Sequence, residues 1–373
     1  MVLVIGAGPA GLAAAAMLQG AGQQVVVLER LDVGALWASR YDRLHLHTVR
    51  WLSGLPGLPI PRSAGRWPSR DRVVDYLRAY AAYHRLEIRS GVGVSKIDGA
   101  DGGWVAQTSG GEHRADRVVV AAGYNNVAFV PDWPGELGRE LVHSAHYRNG
   151  EPFRGRRVLV VGAGNSGAEI AVDLVDHGAA AVALSVRTPP AIVRRDVLGL
   201  PSQVFGVASG HLPVAAVDAI AATIRRVGIP NLEPYGLPAP ARPYTDFLRR
   251  SNLPILDVGI VEAVRTGRVR VVPALAGFEP GRALFADGSR EELDAVVAAT
   301  GFRPGLGELV GDLGVLDHNG VPLVHGAGEH PQAPRLHFIG YRVVLGGTFR
   351  QVGIEARQLA QAIGPGPAGR RAR

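Results

Sequence analysis

This sequence of 373 residues predicts an α/β fold with two Rossmann-like dinucleotide-binding domains. Three observations predict it. A glycine-rich turn, Gly6-Ala7-Gly8-Pro9-Ala10-Gly11, follows the apolar run Val2-Leu3-Val4-Ile5 and leads into an alanine-rich stretch. A second turn, Gly162-Ala163-Gly164-Asn165-Ser166-Gly167, repeats that context after Val158-Leu159-Val160-Val161. The chain is also too long for one ordinary core, and 47% of it is hydrophobic. In such a strand–turn–helix, the first glycine permits the tight turn, the second lets backbone approach a pyrophosphate, and the third lets helix pack on strand. The phosphates then meet free N–H groups at the positive end of the helix.

The residue closing the next strand separates the two nucleotides. Val25-Val26-Val27-Leu28 ends in Glu29, whose carboxylate accepts from a ribose 2′-hydroxyl and repels a 2′-phosphate. The strand Val182–Val186 ends instead in Arg187, a guanidinium suited to a 2′-phosphate. The first site therefore reads as FAD and the second as NADPH.

Between the turns, residues 36–48 form a loop entering an alternating stretch, with Arg43, His45 and His47 on one face. No further ligands stand near the two histidines, so no metal site is expected. Proline-rich turns follow at 55–61. Ser69 caps an amphipathic helix through Val73, Val74, Tyr76, Leu77 and Tyr80. Strands are expected at about 86–98 and 103–108, then at 117–123, where Ala121-Ala122-Gly123 lets backbone come close to a cofactor. Residues 189–255, rich in proline and glycine, look like an insertion with one amphipathic helix around 213–226. The strand at 295–301 parallels that at 117–123 and marks a return to the first domain. Leu345-Gly346-Gly347-Thr348 opens a terminal helix whose N-terminus can stabilise negative charge on a reduced flavin. The domains are thus expected at 1–150 (FAD, first part), 151–295 (NADPH) and 296–364 (FAD, return segment). The FAD domain is then discontinuous and the architecture three-layered, with a disordered basic tail at 365–373.

Composition narrows the chemistry. The chain has no cysteine, which removes the dithiol relay of disulfide reductases, so electrons leave the flavin for another acceptor, most simply O₂. The net charge of +7 is scattered arginine without interleaved aromatics, which argues against nucleic acid and suits polyanionic cofactors. Residues 1–18 are uncharged, but glycines at fingerprint spacing make them strand and helix rather than a membrane segment. A cytoplasmic protein acting on a small molecule is expected.

At this point a resemblance carries further. Besides the two turns, Leu28-Glu29-Arg30, Leu36-Trp37, Tyr41-Asp42-Arg43-Leu44, Leu46-His47, Trp67-Pro68-Ser69-Arg70, His143-Ser144 with Tyr147, Pro254–Gly259 and Ala299-Thr300-Gly301-Phe302 resemble the class B flavin-containing monooxygenases, above all the YUCCA-type indole-3-pyruvate monooxygenases and their bacterial relatives. The resemblance implies FAD at Gly6, Gly8, Pro9, Ala10, Gly11, Glu29, Arg30, Leu36, Trp37, His47, Val94, Ala122, Gly123 and Gln351. It implies NADPH at Gly162, Gly164, Asn165, Ser166, Gly167, Arg187 and Thr300. It also implies an oxygen transfer through a C4a-(hydro)peroxyflavin, either oxidative decarboxylation of an aryl-pyruvate or N/S-oxygenation, with Thr48 and Asn165 beside the reacting flavin–nicotinamide pair. An NADPH oxidase or electron-transfer reductase is the alternative. The chain departs from the family at Leu137 and Arg139, where the linker signature has phenylalanine and glycine. It departs again at Thr48, where many members have asparagine.

Overall fold

Each glycine turn leaves the central strand of a five-stranded parallel sheet in the computed structural model, which describes residues 1–197, 199–209, 212–240, 243, 245 and 253–365. The chain divides into two compact units, residues 1–38, 48–127 and 302–373 in the first and 39–47 and 128–301 in the second.

In the first unit the strand order is Leu336–Phe338, Arg117–Val120, Val2–Ile5, Val25–Leu28 and Ile88–Arg89. Every pairing is parallel. Strands of this kind are buried on both faces, which is why Val2–Ile5 and Val25–Leu28 are continuous apolar runs rather than alternating ones. Leu3 and Ile5 pack with Ile97, Trp104 and Ala106 of an antiparallel three-stranded sheet, Val94–Ala100, Gly103–Thr108 and Gly111–Ala115. Alternation sends Val4 the other way, toward Gly11 of the helix Pro9–Gly20. That helix packs along the C-terminal helix Thr348–Ile363.

The second unit repeats the plan. Its order is Arg270–Val272, Ala181–Ser185, Arg157–Val161, Ala295–Ala298 and Glu140–His143, again all parallel. Val158 and Val160 meet Ile170 and Leu174 of the helix Asn165–Asp176, together with Ile260 and Val264. Leu159 and Val161 meet Phe278, Ala283 and Phe285 of a second antiparallel sheet. Each such fully buried side chain contributes about 1.5–3 kcal/mol relative to exposure. Both units are therefore layered as helix, parallel sheet and antiparallel sheet.

Several expectations need correction. Apart from the short segment 39–47, the chain passes into the second unit at Val127–Ala128 rather than after residue 150, because Glu140–His143 pairs in parallel with Ala295–Ala298 in the second sheet. For the same reason Ala295–Ala298 is an interior strand of the second unit, and the return begins at Phe302 rather than 296. The strand expected over 86–98 is broken into Ile88–Arg89 and Val94–Ala100 by Gly91, whose φ of +75° ends the extended run. The alternating stretch 43–47 forms no strand; it is irregular backbone with a single bridge residue at His45. Among the described residues the insertion shows two α-helices, Ser202–Ser209 and Val214–Gly228, where one was expected. Its ends are joined by the parallel pairing of Ile192–Arg194 with Ile255–Asp257. Ser69 does cap the helix Arg70–Tyr83, accepting from Arg72 N–H at 3.4 Å. The basic tail falls, beyond Pro365, outside the described residues. Among the described residues no helix is long and apolar enough to cross a membrane.

Candidate functional site

The six residues of the first turn do three different jobs. Gly6 has φ +105°, and a Cβ there would stand 2.7 Å from Ala121 O. A Cβ on Gly11 would lie 1.8 Å from Gly6 O, so only glycine lets the helix close on the turn. Gly8 differs. Its φ of −80° suits any residue, and a Cβ there meets nothing within 4 Å. Neither backbone nor packing asks for glycine at that position. The second turn repeats the pattern. Gly162 has φ +111° with Ala299 O at 2.5 Å, the Gly167 Cβ would be 1.9 Å from Gly162 O, and Gly164, at φ −97°, again has open space. Neither helix has an acidic residue in its first turn, so the positive end is left to an anion.

Around the first turn, Glu29 accepts from Ala7 N–H at 2.7 Å and Leu31 N–H at 2.8 Å. These bonds fix its carboxylate at the end of Val25–Leu28 and leave about two of its four lone-pair sites for a sugar hydroxyl. Arg30 reaches Asn126 Oδ1. Ala122 and Gly123 follow Ala121, the residue that Gly6 approaches. The neighbour of Glu29 is Val92, whose N–H donates to Glu29 O at 2.8 Å, whereas Val94 is paired with Thr108 in the antiparallel sheet. Trp37, beside exposed Leu36, stands edge-on to Phe349 at 5.7 Å. Two residues on, Gln351 donates to the buried Glu355 at 3.1 Å, and Glu355 also accepts from Gly340 N–H at 3.0 Å. A Cβ on Gly340 would strike Ala10, so this acid fixes a loop against the fingerprint helix. Sequence reasoning missed Glu355; its signal was an acid on the apolar face Phe349, Val352, Ala356, Leu359.

Thr48 and Ser53 form a pair. Ser53, fully buried, has its hydroxyl 2.8 Å from Val49 O and 2.7 Å from the Thr48 hydroxyl. One proton serves one acceptor, so Ser53 donates to the carbonyl and Thr48 donates to Ser53. Thr48 then offers acceptor capacity only.

In the second unit Arg187 is exposed at the end of Ala181–Ser185 and has no ion-pair partner among the described residues. Asn165, expected beside the reacting pair, is hydrogen-bonded within its own unit. Its Nδ2 donates to Pro254 O at 3.0 Å and its Oδ1 accepts from Leu256 N–H at 2.9 Å, clamping the strand Ile255–Asp257. Thr300 likewise ties backbone, donating to Phe129 O, while Phe129 N–H donates to Gly301 O. His47, expected at FAD, is held within the second unit, 2.6 Å from Glu169. The structure thus gathers Gly6, Gly8, Gly11 and Glu29 in one unit, and Gly162, Gly164, Ser166 and Gly167 in the other.

His143 and Tyr147 serve the second unit. Tyr147, buried, donates to Asp173 Oδ2 at 2.7 Å. His143 Nδ1 accepts from Ala145 N–H at 3.0 Å, so the proton sits on Nε2, which donates to Gly301 O at 3.1 Å. Burial lowers the pKa of His143, and likewise of His325 and His337. The folded state therefore binds fewer protons than the unfolded chain once pH falls below the unfolded value of about 6.5. Stability is fully present above that pH and declines below it. Urea midpoints are expected to drop between pH 7.5 and 5.5, and less so in His143→Gln; equal slopes in the two proteins would remove His143 from this account.

The comparisons with known proteins agree with this geometry. Residues 3–197 match the family described as pyridine nucleotide-disulphide oxidoreductase. The chain lacks the cysteines that the disulphide chemistry needs, so the match concerns the nucleotide-binding architecture. An indole-3-pyruvate monooxygenase of Oryza sativa subsp. japonica, YUCCA1, is 38% identical over 84% of this chain and 79% of its own. A probable indole-3-pyruvate monooxygenase of Arabidopsis thaliana, YUCCA9, is 35% identical over 86% and 79%. The solved flavin-containing monooxygenase from Stenotrophomonas maltophilia is 26% identical, with TM-score 0.71, over 97% of this chain and 98% of that one.

Proposed function

Because this chain belongs to the flavin monooxygenases that include the plant indole-3-pyruvate enzymes, we propose that it oxidatively decarboxylates an aryl-substituted 2-oxo acid. As a member of that family it is an FAD-dependent enzyme that consumes NADPH and O₂. The balance is Ar–CH₂–CO–COOH + O₂ + NADPH + H⁺ → Ar–CH₂–COOH + CO₂ + H₂O + NADP⁺. When bound, FAD takes hydride from NADPH and activates oxygen; the protein supplies binding, orientation and electrostatics.

The observation that carries the two-nucleotide reading is the pair Gly8 and Gly164, glycines that nothing in the protein itself requires. In this proposal the first unit holds FAD, with Glu29 on the ribose and the turn N–H groups on the pyrophosphate. The second holds NADPH, with Arg187 on the 2′-phosphate. Gln351, near the start of the C-terminal helix, faces the flavin. The names of the relatives support the substrate class, and the supply of NADPH supports a cytoplasmic setting.

Coupling tests the reading. With an aryl-pyruvate present, CO₂ and aryl-acetate are expected to appear in equal amounts, one of each per NADPH consumed, with little H₂O₂. Oxygen transfer to an amine or sulfide without CO₂ would move the substrate class. Complete conversion of O₂ to H₂O₂ whatever the substrate would replace the proposal with an oxidase.

A further inference from the structure

The second fingerprint helix, Asn165–Asp176, buries two carboxylates one turn apart, Glu169 at 3% exposure and Asp173 at 4%. A buried carboxylate is tolerated only with donors around it. Asp173 has Tyr147. Glu169 has His47 Nε2 at 2.6 Å and the hydroxyl of Tyr41, itself buried, while the half-buried Arg195 lies within reach of its charge. Burial first, and then the Glu169 charge, push the Tyr41 phenol well up, so it keeps its proton. A carboxylate only accepts, so Tyr41 donates to Glu169 and the Ser166 hydroxyl, also bonded to Tyr41, donates to the phenol oxygen. The result is a directed chain from Ser166 through Tyr41 to Glu169, with His47 donating from the far side.

Tyr41 and His47 belong to Ser39–His47, a short strap that packs in the second unit although the chain on both sides of it belongs to the first. Other bonds tie the strap down within that unit. Arg43 pairs with Asp176, and Arg195 donates to Leu46 O at 2.7 Å. Asp42 N–H donates to Arg148 O at 2.8 Å, and Asn149 donates to the Asp42 carboxylate at 2.7 Å.

We infer that Glu169 is a positioning residue for the coenzyme, holding the strap Ser39–His47 and the Ser166 end of the phosphate turn as one hydrogen-bonded unit. Ser166 is the second residue of the helix. With its hydroxyl proton spent on Tyr41, it meets a phosphate through its backbone N–H, whose direction the chain of hydrogen bonds sets in advance. Coupling of this kind is reciprocal: whatever the strap does for coenzyme affinity, the coenzyme does for the order of the strap. The inference rests on the second unit being the NADPH site.

The test uses the FAD-loaded enzyme, NADP⁺ titration by fluorescence quenching, and hydrogen exchange of the peptide spanning 39–47. NADP⁺ is expected to slow exchange across 39–47 in the wild type. In Glu169→Ala, Kd for NADP⁺ is expected to rise about tenfold and that protection to vanish, with FAD content unchanged. Glu169→Gln restores both, because an amide oxygen still accepts from Tyr41 and His47. If removing the negative charge were what mattered, Gln and Ala would shift Kd alike, and the inference would fall. Tyr41→Phe, which deletes one hydroxyl, carries the same test if Glu169→Ala does not fold. Wild-type affinity in both Glu169→Ala and Tyr41→Phe, or exchange at 39–47 indifferent to NADP⁺, overturns this inference alone. A wild-type enzyme that binds no NADP⁺ overturns the coenzyme reading beneath it.

Discussion

Gly8→Ala and Gly164→Ala are expected to fold and to lose nucleotide affinity, whereas Gly11→Ala and Gly167→Ala are expected not to fold. The two classes of glycine look alike in sequence and differ in what surrounds them. At Gly11 and Gly167 the added methyl would stand 1.8 and 1.9 Å from a backbone oxygen of the same turn. No rotamer relieves that, so the helix must leave its strand, and loss of that packing is comparable with a whole stability of about 5–15 kcal/mol. At Gly8 and Gly164 the methyl meets no protein atom, and φ values of −80° and −97° suit alanine. Its cost falls on the ligand, whose phosphates must retreat from the N–H groups. A loss of about 3 kcal/mol, roughly a hundredfold in Kd, is expected. Gly8→Ala should lose FAD on gel filtration, while Gly164→Ala should keep FAD and require far more NADPH. Thermal melts of the four apoproteins separate folding from binding. Wild-type FAD retention in Gly8→Ala would remove the argument that a pyrophosphate explains this glycine.

Arg187→Ala is expected to raise KM for NADPH about tenfold and to leave KM for NADH within about twofold. The guanidinium ends a strand in the position that distinguishes the two coenzymes and has no ion-pair partner among the described residues. Its exposure limits the gain, since a solvated pair is screened, so the preference for NADPH should also shrink as salt is added. Steady-state rates with both coenzymes at two ionic strengths check this. Equal losses with NADH and NADPH would mean that Arg187 supports the fold or the pyrophosphate rather than the 2′-phosphate.

The parts of this protein that could be read from its sequence are those where local chemistry and tertiary packing demand the same residue. Gly6, Gly11, Gly162 and Gly167 are required by the turn itself, and the apolar runs before them are required by a sheet buried on both sides. Ser69 announces its helix for the same reason. What escaped was decided by distant partners. Glu140–His143 has only two apolar residues, and only its pairing with Ala295–Ala298 places it in the second unit. The strap at 39–47 shows a strand-like alternation of polar residues, yet Arg43 and His47 are turned toward Asp176 and Glu169. The legible sign lay on the other partner: acids at 169 and 173 among Ile170, Ala171 and Leu174 cannot all be solvated. The bonds of Asn165 were equally hidden, because the segment 254–256 that it clamps lies far along the chain.

The most direct test of the account is the anaerobic titration of the purified, FAD-loaded protein with NADPH, alongside Gly164→Ala and Arg187→Ala. Flavin absorbance is expected to bleach fully with one equivalent of NADPH in the wild type. Bleaching should need far more coenzyme in Gly164→Ala and in Arg187→Ala, and it should reverse when oxygen is admitted. A protein that takes up no FAD, or whose bound flavin stays oxidised at any NADPH concentration, would contradict the claim that one chain carries both nucleotides for a single reaction.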